Sequence, residues 1–591
     1  MQALERYLEL YERFGNAGGA GASAETSLGQ IAEALYCTER NAKLVLRKLE
    51  EEGLIEWKAG RGRGNRSRLV FLADKGELLF GASKSYAEAG EYNKAYELLR
   101  AYGGDTGAGE RFVDWMNGRF GFGKEQKEGT DVLRLPVYQP IVTLDPAEAM
   151  FSLSGHLILQ LFDRLVQSDR TGKIVPAVAH HWECGAEGME WTFHLRKGVI
   201  FHNGKELNAA DVVYTLERLR ERRNGWIVRT LDRAEAISPR IVKIYLNKPN
   251  RLFLRFLCSV AMSVLPCDLG GQSEDNYWRR PAGTGPFQIE SWSEDRVILQ
   301  ANPHYYQGRP HLDSVDIVVM PEEGLLGRDR DVLSWQQLLC EPEEREIKPE
   351  NGWELKESQD GCTSLLTWNM NKDGPHRTLA FRRAVDALID RNAMIAELGD
   401  YRDRAASGFF FDPDSPRDHT DSGRQEVLQL LKQAGYDGEP VALAAYGKHA
   451  KDAEWIARRC AEFGIEVRLL IGTSENIHRY LGEADAILHA IVFPEEEVCL
   501  IENYVQEGSF VKEYQDPGMQ SWITEKIDLA LGFEQLQERQ AFYGEIERRL
   551  KDEARISFLL HAKFYTNYHP SFKGVTINQH GWIDFKDVWR E

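Results

Sequence analysis

In the first 15 residues, MQALERYLELYERFG, charged positions are set among apolar ones at the helical period, which predicts an amphipathic helix. Residues 15–27, GNAGGAGASAETS, interrupt that pattern with small residues and read as a loop. Ser27 with Gln30 then fits a capping box, and Leu28, Ile31 and Leu35 follow at helical spacing, so a short helix is expected to stop near Tyr36. A second helix starts at once with Thr38 as its N-cap. Its residues Ala42, Val45, Leu46 and Leu49 stand at i, i+3, i+4 and i+7 and form a single apolar stripe. After Gly53 the segment LIEWKAGRGRGNRSRLVFL alternates instead, predicting a strand, a Gly/Arg turn and a returning strand.

Two further helical patterns, split by the breaker GGDTGAG, follow from residue 73 to about residue 124 and read as a helical connector. From Thr130 the texture changes to short apolar runs such as VLRLPVY, KIYLNK, VILQ and VDIVVM, alternating with helical patterns such as NAADVVYTLERLR. That alternation predicts an α/β architecture. At 591 residues the chain exceeds what one core supports. The expected division is 1–72, 73–130 and 131–591.

Charge sharpens the reading of the first segment. The chain as a whole is acidic, with 73 Lys and Arg against 92 Asp and Glu, a formal net charge of −19. Yet the face of the second helix opposite its apolar stripe holds Arg40, Lys43 and Arg47, and Lys58, Arg61, Arg63, Arg66 and Arg68 crowd the hairpin with no acidic residue between Lys58 and Arg68. Two short helices joined by a tight turn, the second basic on its outer face and followed by a basic hairpin, match a winged helix-turn-helix that grips the phosphates of double-stranded DNA. The candidate DNA-binding residues are therefore Thr38, Arg40, Asn41, Lys43, Arg47, Lys58, Arg61, Arg63, Arg66 and Arg68. Leu44 also points outward on this wheel, where a thymine methyl or another helix would cover it. The plainer alternative is a solvated cationic surface.

Other chemistry is missing from the sequence. The amphipathic start lacks the uninterrupted apolar core of a signal peptide, and the longest apolar stretch, 252–265, is interrupted by Arg255. No membrane partner and a cytoplasmic location are expected. The eight cysteines show no CxxC spacing, which favours reduced thiols. There is no GxxxxGK[ST], GxSxG or HExxH motif, so no enzyme and no cofactor are expected. His180, His181 and Cys184 make a poor metal site, because adjacent histidines on a strand point apart.

The run PAVAHHWECGAEGMEWTFHLRKGVIFHNGKELNAADVVYTLERL (176–219), with GTGPFQIESW (283–292) and NPHYYQGRPHLDSVDI (302–317), resembles the signature of oligopeptide- and dipeptide-type solute-binding proteins, family 5. LAFRRAVDALIDRNAM (379–394) and VTINQHGWIDFKDVW (575–589) extend the resemblance over most of residues 131–591. Joined to the basic N-terminal segment, the chain resembles SgrR-type regulators. The resemblance implies a periplasmic-binding-protein-like (type II) domain of two lobes that close over a small molecule or short peptide. His194, Arg196, His202 and Asp211 read as structural, holding a sheet, a turn and a helix cap. In the resembling receptors a tryptophan-and-aspartate loop anchors the peptide amino group; the corresponding stretch here, HAIVFPEEEVCLIENY (489–504), places Phe493 and Pro494 there with Glu495 and Glu496 behind. The candidate ligand-binding residues are Tyr138, Trp368, Asn369, Phe493, Glu495 and His561. The expected function is a ligand-responsive transcription regulator, with a homodimer as a partner state. The alternative is the substrate-binding protein of a peptide or solute transporter.

Overall fold

The computed structural model describes the chain except residues 1, 16–20, 61–65, 118–120, 123–129, 138–140, 170, 186–187, 320–335, 340–353, 358–361, 400–401, 411–422, 448, 474–475, 493–495, 563–564, 569 and 579–581. It divides into two compact units, the first built on Met1–Phe120 and the second beginning at Gly121.

The first unit opens with α1 (Gln2–Phe14), β1 (Ser23–Thr26), α2 (Leu28–Ala34), α3 (Glu39–Glu51), β2 (Ile55–Lys58) and β3 (Ser67–Phe71). The reciprocal Ser27–Gln30 capping box starts α2, and the Asn41 amide donates to Thr38 Oγ1 at the start of α3. The strands form an antiparallel sheet in the order β1-β3-β2, with Lys58 opposite Arg68 and Ile55 opposite Phe71. Ile31, Leu35, Ala42, Leu46, Leu49, Leu69 and Phe71 are buried beneath it with Tyr7, Leu8 and Leu10 of α1. This is a winged helix-turn-helix. Helices α4 (Lys75–Glu88), α5 (Tyr92–Tyr102) and α6 (Ala108–Asn117) complete the same unit. The segment expected as a connector is thus packed into the N-terminal unit: Lys75 pairs with Glu12, the Tyr7 hydroxyl donates to the Ala73 carbonyl at 2.7 Å, and Phe112 meets Tyr96 edge-on.

The second unit has two lobes. In the first, a sheet runs in the order Phe287–Trp292, Arg296–Ala301, Ser314–Val319, Val132–Val137, Gly121–Phe122, with the third and fourth strands parallel. A second, antiparallel sheet runs Leu231–Ser238, Ile241–Leu246, Glu190–Leu195, Ala179–Cys184. Its strand Glu190–Leu195 alternates buried and half-buried residues, as WTFHL predicts. The second lobe is a six-stranded sheet in the order Arg402–Ala405, Ile556–Ala562, Cys362–Trp368, Ala486–Val492, Val441–Tyr446, Val467–Gly472. Strand Cys362–Trp368 is buried along its whole length, Thr363, Ser364 and Thr367 included. The chain then returns, and Phe572, Val575, Ile583, Phe585 and Val588 join Leu133, Leu157, Phe287 and Ile317 in the core of the first lobe.

The lobes share apolar interior. Ile523, Ile527, Ala530 and Leu531 of helix Pro517–Leu531 lie in one core with Trp191, Phe193 and Val242 of the antiparallel sheet and Phe253 of the short helix Phe253–Phe256. Asp528 on the same helix accepts from Lys248 Nζ at 2.6 Å and pairs with Arg229 at 2.8 Å, and the Arg251 amide donates to the Leu531 carbonyl at 2.9 Å.

Candidate functional site

Amphipathicity of α3 determines what the first unit presents to solvent. Ala42, Leu46 and Leu49 face inward, while Arg40, Asn41, Lys43 and Arg47 are all exposed. Thr38 spends its hydroxyl oxygen on capping α3 and thereby fixes the angle at which this face is offered. Arg47 pairs with Glu51 at 2.9 Å, but both side chains are largely exposed, so the pair is weak and a phosphate can replace the carboxylate. Lys58, Arg66 and Arg68 are exposed on the wing. The register sets Lys58 opposite Arg68, with Lys58 Nζ paired to Glu56 at 2.9 Å and Glu25 of β1 facing Arg68 from the other side. Arg68 also donates to Ser23 Oγ at 2.9 Å, which ties it to β1. Arg61 and Arg63 lie outside the described residues. The turn between α2 and α3 carries a feature the sequence did not reveal: Tyr36 is 94% exposed and has φ of +50°, a conformation uncommon for a bulky residue.

Of the candidate ligand residues, Trp368, Asn369 and His561 are among those the structure describes. Trp368 and Asn369 are buried. Trp368 is 2% exposed, stacks on His376 at 5.9 Å and meets Phe381 edge-on. Asn369 donates to the carbonyls of Leu481 (3.1 Å) and Ala484 (3.0 Å) and accepts from the Asn371 amide, so its amide group is consumed in joining chain segments. His561 is half-buried, with Nδ1 3.0 Å from Thr363 Oγ1. The Thr363 hydroxyl donates to the Phe409 carbonyl, so Nδ1 is the donor to Thr363. Burial, helped by the positive charge of Arg404, pushes His561 down to about 4 and keeps the ring neutral. Tyr138, Phe493 and Glu495 lie outside the described residues.

The residues read as structural have structural partners. Asp211 is fully buried and accepts from the Asn208 amide at 2.9 Å and the Cys267 amide at 2.8 Å, capping helix Ala209–Leu219. Arg196 donates to the Ala177 carbonyl at 2.7 Å. His202 bridges Gly283 and Gly285, and His194 lies 3.7 Å from Glu183. Among the described residues no group of His, Cys, Asp or Glu is arranged to hold a metal ion, and no helix is long and apolar enough to cross a membrane.

A cationic winged helix-turn-helix and a two-lobed α/β unit on one polypeptide define a class in which a nucleic-acid-binding module is fused to a receptor for small solutes. The chain belongs to the family of bacterial extracellular solute-binding proteins, family 5, whose middle region matches residues 173–494. Residues 2–108 match the family described as sugar transport-related sRNA regulator N-term. YhjP of Bacillus subtilis (strain 168) is 30% identical over the full length of both chains. The HTH-type transcriptional regulator SgrR of Yersinia pestis (strain Pestoides F) is 25% identical, covering 99% of this chain and 98% of its own. Among solved structures, the periplasmic binding protein DppA of Helicobacter pylori in complex with the peptide STSA superposes with a TM-score of 0.65 at 19% identity, covering 81% of this chain and all of its own.

Proposed function

We propose that this protein is a ligand-responsive transcription regulator: residues 1–72 grip duplex DNA, and residues 131–591 sense a small molecule or short peptide between two lobes. The observation that carries the reading is the exposed cationic face of α3 and the wing, which concentrates positive charge on a chain of net charge −19 and is joined to family 5 lobes. The relative named as a transcriptional regulator spans both units, which supports reading them as one working molecule. A DNA target places the protein in the cytoplasm. Helix-turn-helix dimers bind paired half-sites, so the proposal includes a homodimer on DNA.

The test is binding of the full-length protein to a library of genomic fragments over a range of salt. Affinity is expected to fall linearly in log–log form as phosphate contacts release counterions. Absence of salt-sensitive binding to every fragment, with or without a metabolite extract, overturns the reading.

A further inference from the structure

The cationic face of α3 has an apolar side chain at its centre. Leu44 is 60% exposed. Arg40 precedes it by four residues, Arg47 follows by three and Lys48 by four, so all three are its neighbours on the helix surface, and all are exposed. Ala42, Leu46 and Leu49, which hold the helix to the unit, lie on the opposite side. Leu44 therefore contributes nothing to the interior, and its exposure to water is unfavourable until an apolar group covers it.

The surrounding charge decides what that group is. A partner that accepts this face must supply anions around a small apolar spot. Duplex DNA does so: phosphates border a major groove wide enough to admit a helix, and the apolar feature on its base edges is the C5 methyl of thymine. We infer that Leu44 reads thymine methyls in the major groove and so sets sequence preference, while Arg40, Lys43 and Arg47 position the helix. This rests on the DNA-binding reading above and adds to it a base class and a residue. One methyl in such a contact is worth about fourfold in affinity, the equivalent of about 0.8 kcal/mol.

The experiment selects high-affinity duplexes from a random-sequence pool with the full-length protein, then replaces thymines one at a time by uracil, which removes only the methyl. Wild-type protein is expected to lose about fourfold at one or more positions. Leu44→Ala should bind the all-thymine duplex about fourfold more weakly and be indifferent to uracil at those positions, and Leu44→Met should restore the sensitivity. Leu44 is exposed, so both variants should keep the wild-type thermal unfolding midpoint. Equal wild-type affinity for thymine and uracil at every position overturns the inference, as does undiminished uracil sensitivity in Leu44→Ala. A change in oligomeric state on Leu44→Ala with DNA binding unaltered also overturns it, assigning the side chain to a protein contact. If no duplex is bound in a salt-sensitive way, the regulatory reading falls and this inference with it.

Discussion

The Gly283 amide donates to His202 Nδ1 at 3.2 Å, and Nε2 lies 3.0 Å from the Gly285 carbonyl, so the ring is neutral with its proton on Nε2. Burial holds its pKa at about 4. The two glycines are required by space: a Cβ would come 1.9 Å from the Leu161 carbonyl oxygen at Gly283 and 2.5 Å from that of Gln160 at Gly285. Gly283→Ala is therefore expected to cost more than about 3 kcal/mol in denaturant unfolding; a cost below about 1 kcal/mol would show that these segments separate freely. His489 gives a pH prediction. It is buried against Thr367, and burial, with the charge of His449 next, depresses its pKa to about 3. Its folded pKa lies below the unfolded value of 6.5, so its contribution is fully present above pH 6.5 and is lost as pH falls towards 3. In His489→Gln, the stability difference between pH 7.5 and pH 5 should shrink by about 2 kcal/mol. An unchanged pH profile in the unfolding of the second lobe would contradict this. Asp452 works with the same sign at lower pH. It is 1% exposed and accepts from Arg402, also 1% exposed, at 2.7 Å and 2.9 Å. Burial opposes its ionisation, but His449 and Arg402 prevail and hold its pKa below the usual value.

At the scale of elements, α3 and helix Pro517–Leu531 matter most. Arg47→Ala removes one cation and a weak surface ion pair, so stability should move by less than about 0.5 kcal/mol while DNA affinity falls and the salt slope drops by about one. Measured titrations at several salt concentrations separate this from a folding defect; an unaltered slope would remove Arg47 from the phosphate contacts. Helix Pro517–Leu531 carries Asp528, which accepts from Lys248 and forms an ion pair with Arg229, both first-lobe cations. Asp528→Ala leaves Arg229, only 18% exposed, without its carboxylate. The expected loss is about 1–3 kcal/mol, read by chemical unfolding of the intact protein. An effect within about 0.5 kcal/mol would mean that the shared apolar core alone holds helix and sheet together.

At the scale of the whole molecule, regulation requires that a solute favour one state of the second unit and that this state alter the first unit's affinity for DNA. A solute bound equally by both states changes nothing. A coupling of about 1–3 kcal/mol corresponds to a change of about 5- to 150-fold in DNA affinity, and by linkage DNA changes solute affinity by the same factor. Thermal-shift screening of metabolites and short peptides on the intact protein, followed by DNA titration at zero and saturating solute, measures it. Identical DNA affinities would leave the lobes without a regulatory role. Because Ile523, Ile527 and Leu531 are buried with Phe193 and Val242, opening the lobes at this contact exposes apolar surface, which biases the unit towards apposed lobes before any solute binds.

Local chemistry was enough for the helices and strands of the winged helix-turn-helix. Its capping box, apolar stripe and Gly/Arg hairpin act over a few residues, so α2, α3, β2 and β3 were legible from spacing alone, as was the role of Asp211 in capping a helix. Motifs such as GTGPF carried the family 5 fold because the close approach at Gly283 and Gly285 tolerates no side chain. Fates that depend on partners far away in sequence were not legible. The surroundings of Trp368 and Asn369 are set by His376, Phe381, Leu481 and Ala484. The placement of α4 against α1 depends on Glu12 and Tyr7 meeting Lys75 and Ala73. The tie from Asp528 to Lys248 spans 280 positions. Periodicity reports which side of an element is apolar, whereas the tertiary structure alone decides what that side meets.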